Sequence, residues 1–106
     1  MSKEFEQSLI IFICNHGFAY DAMQEARKSG ASGGTILHGK SSVTTEKSVF
    51  FGIRLHSEKD LLLIVCRTYK KERIMQALVK NHGVTTAARG LCFSLKISES
   101  IGFTFN

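Results

Sequence analysis

Two glycine-rich segments carry the residue types in this sequence that are best suited to binding a ligand. The first reads Gly-Ala-Ser-Gly-Gly-Thr (residues 30–35) and the second Gly-Val-Thr-Thr-Ala-Ala-Arg-Gly (residues 83–90). Each follows a predicted helix and precedes an apolar strand, and successive backbone N–H groups in such turns attract anionic oxygens. A structural interpretation is equally open, in which Gly30 and Gly83 end helices and the other glycines relieve crowding.

Histidines and cysteines could also do chemistry, as metal ligands or nucleophiles. The chain contains His16, His38, His56, His82, Cys14, Cys66 and Cys92. No two of them have a local ligand spacing such as i, i+4 on a helix or Cys-x-x-Cys. The cysteines lie in apolar segments, which predicts reduced, buried thiols rather than disulfides or nucleophiles. We therefore predict no metal site, and single out only His38, which lies close to Lys40 in the sequence.

Neither enzymatic catalysis nor RNA binding is predicted. No serine occupies a Gly-x-Ser-x-Gly turn between a strand and a helix, and no catalytic residue is assigned. RNA-binding sheets place aromatic residues on their central strands. The two most apolar segments here read Leu-Ile-Ile-Phe-Ile-Cys (residues 9–14) and Leu-Leu-Leu-Ile-Val-Cys (residues 61–66). Strands of this kind are expected to be buried, so no nucleic-acid partner is expected.

Length and composition predict one globular domain. The 106 residues are 43% hydrophobic and 22% charged, which is typical of a soluble fold. We assign residues 1–106 to a single domain with a flexible start over residues 1–7. A net charge of +5 suits an anionic partner, although the basic residues are scattered. The acidic start and the short apolar segment after it favour a cytoplasmic protein without a signal peptide or membrane span.

Hydrophobic periodicity predicts two βαβ halves. Strands are expected at residues 9–14, 34–40, 61–66 and 91–97, helices at 18–29 and 70–82, and a short ribbon near 49–55. With right-handed crossovers this order gives a ferredoxin-like α+β fold, a four-stranded antiparallel sheet with both helices on one face. Because residues 9–14 and 61–66 are apolar at every position, the other face must also be covered. We predict that the chain oligomerises through it.

The first glycine segment and the predicted strand after it resemble the nitrogen-regulatory PII family. The run Gly-Ala-Ser-Gly-Gly-Thr-Ile-Leu-His-Gly-Lys (residues 30–40) is similar to that family's Gly-x-x-Gly-x-Thr segment. Its Gly-Thr-Ile-Leu-His form is typical of the PII-like branch. Phe-Gly-Ile (residues 51–53), Glu-Lys (residues 58–59) and residues 90–95 add to a resemblance that spans residues 9–103.

The resemblance implies a homotrimer whose sheets line a central barrel, with a nucleotide held in the cleft between subunits. There the threonine of the first segment meets the base, the loop after the second helix wraps the phosphates, and basic side chains neutralise them. The residues implied at this site are Gly33, Gly34, Thr35, His38, Lys40, Lys59, Thr85, Arg89 and Gly90. The implied ligand is ATP, ADP, AMP or a cyclic dinucleotide.

The resemblance also implies a loop that contacts a regulated protein, such as a transporter or an enzyme, in nitrogen utilisation. This partner loop consists of Ser41, Ser42, Val43, Thr44, Thr45, Glu46 and Lys47. It contains no tyrosine, so control by nucleotidylation is not expected. Gly102 and Phe103 stand where the family places phosphate-binding arginines, which predicts weaker nucleotide binding. Two alternatives stay open, a trimeric metal-binding protein like the cation-tolerance family and a trimeric interaction scaffold without a ligand.

Overall fold

A computed structural model describes residues 6–41, 49–50, 53–54 and 58–102. The elements are β1 (Gln7–Asn15), α1 (Ala19–Lys28), β2 (Thr35–Lys40), β3 (Val49–Phe50), β4 (Ile53–Arg54), β5 (Glu58–Arg67), α2 (Lys71–His82) and β6 (Leu91–Ile97). A 3-10 turn, Thr68–Lys70, joins β5 to α2. The predicted order of strands and helices is confirmed. Neither described helix has the length and apolar composition needed to cross a membrane.

Four strands form one antiparallel sheet in the order β2-β5-β1-β6, and β3 pairs with β4 in a separate ribbon. Central strand β1 pairs with β5 along its whole length, from Gln7 opposite Arg67 to Asn15 opposite Lys59. Edge strand β2 pairs with β5 from Thr35 opposite Leu63 to Lys40 opposite Glu58. With α1 and α2 packed together on one side of the sheet, this is the ferredoxin-like α+β fold that the sequence predicts.

The hydrophobic core lies between the sheet and the two helices. Along β1 and β5, residues alternate between buried and partly exposed. The buried positions are Ile10, Phe12, Cys14, Leu62, Ile64 and Cys66. Three alanines of α1 and Ile74 and Leu78 of α2 pack onto them. Burial raises the pKa of the Cys14 thiol to about 11. All three cysteines are free, and Cys14 and Cys66 are buried as predicted, whereas Cys92 is only partly buried.

The opposite face of the sheet is open in the single chain. It presents the partly exposed positions of β1 and β5 together with Leu37, Leu91, Phe93 and Leu95, whose exposed fractions lie between 44% and 56%. None of the described helices covers this face. We call it the open face, and the face beneath α1 and α2 the covered face.

The start of β1 differs from the prediction, whereas the glycine predicted after α1 is found as expected. The flexible start assigned to residues 1–7 is wrong at its end, because Gln7 begins β1 and the carbonyl of Glu6 accepts a hydrogen bond from the Thr68 N–H at 2.9 Å. Residues 1–5 lie outside the described residues. Helix α1 ends at Lys28. Gly30, the glycine predicted to end it, follows with a φ of 113°, which suits glycine in the left-handed position after a helix.

Candidate ligand site at the end of β2

A pocket of about 440 Å³ lies where β2 ends and β5 begins, a size in the usual range for small-molecule sites. Its lining residues are His16, His38, Gly39, Lys40, Glu58 and Lys59. Antiparallel pairing places Gly39 opposite Lys59 and Lys40 opposite Glu58. Two lysines and one glutamate therefore line it, and the two lysine amino groups are the groups that suit an anionic ligand.

A buried carboxylate anchors one wall of the pocket. The Asp60 side chain is only 5% exposed, and its Oδ1 lies 2.8 Å from Nδ1 of His16 and 2.7 Å from Nδ1 of His38. Its Oδ2 accepts the backbone N–H of Gly17 at 2.9 Å. Because a carboxylate oxygen only accepts hydrogen bonds, both rings donate from Nδ1.

Electrostatics keep this carboxylate ionised. Burial works to raise the pKa of Asp60, but hydrogen bonds from His16, from the Gly17 N–H and from His38 outweigh it and lower that pKa to about 2. The hydrogen bond between His16 and Asp60, together with the negative charge of Asp60, raises the pKa of His16. At neutral pH a fixed negative charge therefore lies beneath two exposed imidazole rings.

Asn15 links the pocket to the loop of residues 83–90. Lys59 Nζ donates to Asn15 Oδ1 at 2.7 Å, and Asn15 Nδ2 donates to the carbonyl of Ala87 at 3.0 Å. The Asn15 backbone N–H also donates to the carbonyl of Ala88 at 2.8 Å. The start of β5, the end of β1 and this loop thus form one connected edge of the molecule.

The structure brings together only part of the predicted nucleotide site. His38, Lys40 and Lys59 line the pocket, and Thr85, Arg89 and Gly90 lie in the loop linked to it through Asn15. Thr35, the first residue of edge strand β2, pairs with Leu63, and four residues of strand place it about 13 Å from Gly39. Gly33 and Gly34 precede Thr35 and lie farther still along the chain from the pocket. A site shared by both glycine segments thus requires a second subunit and stays a prediction.

Packing explains some glycines of the predicted site. A Cβ at Gly90 would overlap the carbonyl oxygen of His82 and the ring of Phe12. At Gly34 it would lie 2.8 Å from the Met23 sulfur, whereas at Gly33 nothing lies within 4 Å. Gly34 and Gly90 therefore have a structural reason to be glycine, and Gly33 has no such packing constraint.

Asp60 and His16 were not predicted as site residues, and His38 was predicted without its contact to Asp60. The histidines are 44 and 22 residues from Asp60, so a search for local ligand spacing cannot find the group. The available signal was an acidic residue at the entry to the very apolar segment 61–66. In the predicted partner loop only Ser41 is described, and the other six residues lie outside the described ranges.

The fold is similar to those of solved PII proteins. GlnK of B. subtilis, in its ATP complex, superposes with a TM-score of 0.72 at 14% identity, covering 94% of this chain and 89% of that chain. Arabidopsis thaliana PII bound to citrate superposes with a TM-score of 0.69 at 16% identity, covering 91% of this chain and 79% of that chain. A PII-like signalling protein of Thermus thermophilus superposes with a TM-score of 0.60 at 15% identity, covering 87% of this chain and 88% of that chain. The sequence matches no family profile and no curated protein. The chain therefore has the PII-like fold that the resemblance predicts.

Proposed function

We propose that this chain is a PII-like signalling protein, a homotrimer that senses a small anionic ligand at pockets between subunits and regulates a partner protein. The observation that carries the proposal is the pocket at the end of β2, which is lined by Lys40 and Lys59, on a PII-like fold. The ligand class is an adenine nucleotide or a related polyanion. Binding and reporting of the ligand, rather than its turnover, is the proposed activity.

The charge distribution at this edge supports an anionic ligand. Lys40 and Lys59 line the pocket, and Arg89 is an exposed residue of the linked loop. Hydrogen bonds to charged groups contribute about 1.5–3 kcal/mol each. Two proteins of similar fold were solved with polyanions, GlnK with ATP and PII with citrate, which gives independent support for this ligand class.

The open face supports the trimer. Its apolar side chains need a cover that the described part of the chain does not supply, and association through the sheet would supply it. Assembly would also allow residues 30–35 of one subunit to approach the pocket edge of the next. The predicted partner loop begins at Ser41, directly after Lys40 of the pocket, so a ligand bound there would lie near the start of that loop. Regulation of a transporter or enzyme in nitrogen utilisation remains the expected context.

Calorimetry with ATP, ADP, AMP and a cyclic dinucleotide tests the ligand proposal. We expect saturable binding of at least one of them and a loss of about tenfold or more in affinity for Lys40→Ala, because one charge-assisted contact is removed. Lys40 is the better choice for the test, since Lys59 also holds Asn15. The matched control is Lys28→Ala, the same change in charge at a side chain that is 74% exposed on α1.

Two results would contradict the ligand proposal. One is the absence of binding for all four compounds at millimolar concentration. The other is an affinity that falls equally for Lys40→Ala and Lys28→Ala, because binding would then depend on overall charge rather than on this pocket.

A further inference from the structure

Three side chains at the pocket have the composition of a transition-metal site. His16, His38 and Asp60 each offer one ligand atom, and these atoms all lie within 4.8 Å of one another. They come from the turn after β1, from β2 and from β5, so only the folded chain assembles them. We propose that this triad binds a divalent transition-metal cation.

The geometry is close to what such a cation requires. Metal–ligand bonds of about 2.1 Å in a tetrahedral site separate neighbouring ligand atoms by about 3.4 Å. The two Nδ1 atoms now lie 2.8 Å and 2.7 Å from Asp60 Oδ1, so each ring needs to withdraw from that oxygen by less than about 1 Å. The ligand atoms of the two rings, which lie within 4.8 Å of each other, must reach the same separation of about 3.4 Å. The side chains of His16 and His38 are 54% and 68% exposed, which leaves them room for this movement. Each neutral ring coordinates through Nδ1 after its proton has moved to Nε2.

The carboxylate ligand is held in place by the backbone. Asp60 Oδ2 accepts the Gly17 N–H at 2.9 Å, which orients the carboxylate so that Oδ1 faces both rings. Gly17 has a φ of 99°, a left-handed conformation that favours glycine. That conformation lets the His16 ring and the Gly17 N–H both hydrogen-bond to the carboxylate of Asp60. Outer hydrogen bonds of this type position ligands in established metal sites.

The ligand types select the class of metal. Two imidazole nitrogens and one carboxylate oxygen suit Zn²⁺, Co²⁺, Ni²⁺ or Fe²⁺, whereas Ca²⁺ and Mg²⁺ prefer oxygen ligands throughout. Three protein ligands leave at least one coordination position for water or an anion. Of the charged groups that line the pocket, Glu58 would add to the attraction of a cation, whereas Lys40 and Lys59 would oppose it.

Metal titrations on the full chain, stripped with a chelator and measured without nucleotide, test this proposal. We expect Zn²⁺ calorimetry to show saturable binding of one ion per chain. Co²⁺ should give a visible spectrum of nitrogen and oxygen coordination without thiolate-to-metal bands. His16→Ala and His38→Ala should each weaken Zn²⁺ binding by at least about tenfold. The matched control is His82→Ala, a histidine at the end of α2, which should leave the affinity unchanged.

Several results would overturn the metal site. They are the absence of saturable Zn²⁺ binding, an affinity insensitive to both His16→Ala and His38→Ala, and thiolate bands that place Co²⁺ on the cysteines. Because both substituted rings are exposed, these variants should fold, and circular dichroism verifies it. The metal proposal does not rest on the nucleotide proposal, since Zn²⁺ binding is measured without nucleotide and can succeed or fail whatever the nucleotide result.

Discussion

The two faces of the sheet contain the same kinds of residue and differ in what covers them. On the covered face Phe12 and Ile64 are completely buried beneath the helices. On the open face Leu91, Phe93 and Leu95 are 54%, 44% and 56% exposed. The two helices of the described part of the chain therefore leave apolar sheet that they do not cover.

This difference separates the contacts that stabilise the fold of one chain from the contacts that join chains together. Contacts on the covered face stabilise the fold of one chain, because burial of apolar area contributes about 25 cal/mol per Å². Contacts on the open face are available for association, where a stable interface buries about 800 Å² on each partner. Substitutions on the two faces should therefore produce different kinds of defect.

Phe12→Ala should have the largest effect on the fold. Phe12 is 0% exposed in the centre of the covered face, and truncation of such a ring costs about 3–5 kcal/mol in unfolding free energy. Urea denaturation followed by circular dichroism measures the loss. Tyr20→Ala is the control, because that ring is 67% exposed on α1 and its loss should change stability by only about 0.5 kcal/mol. Equal losses in the two variants would contradict the assignment of the core.

Gly90→Ala should have the next largest effect. The new methyl group would overlap the His82 carbonyl and the Phe12 ring, and overpacking of this kind costs about 1–3 kcal/mol. Gly33→Ala is the matched control, since nothing lies within 4 Å of a Cβ there, and we expect a change within about 1 kcal/mol. Thermal denaturation of both variants compares them. A Gly33→Ala loss as large as that of Gly90→Ala would show that the first glycine segment is equally constrained.

Phe93→Glu should have the smallest effect on the fold of the chain and a clear effect on assembly. A charge on the open face opposes burial of that face in an interface. In a dissociated chain the same charge is hydrated and does not disturb the fold. We expect native circular dichroism and a mass that falls to that of a monomer. Tyr20→Glu places the same charge on the exposed side of α1 and should keep the mass of the wild type. Unchanged assembly in Phe93→Glu would place the interface elsewhere.

The fold could be predicted because its apolar segments are long and are separated by glycine and polar turns. Strand β6 was predicted with its observed ends, Leu91–Ile97. Within residues 9–14, the odd-numbered and even-numbered positions point to opposite faces of the sheet. Because both sets are apolar, the sequence could not show which set faces the helices. Only the packing of α1 and α2 reveals that Ile10, Phe12 and Cys14 are the covered set.

The site was predictable to the extent that it depends on sequence resemblance. The resemblance assigned His38, Lys40 and Lys59, and the structure places them at one pocket. Asp60 and His16 were missed because their meeting depends on strand register, which puts His38 opposite Asp60, and on the turn at Gly17. Such tertiary pairings leave no local spacing in the sequence.

The mass of the wild-type protein in solution tests the central claim most directly, that copies of this chain cover the open face. Gel filtration with light scattering at micromolar concentration, on metal-free and ligand-free protein, gives this mass without reference to shape. A homotrimer predicts three times the 11.8 kDa chain mass. A single species at 11.8 kDa would contradict it, because the apolar open face would then be stable in water without a second chain.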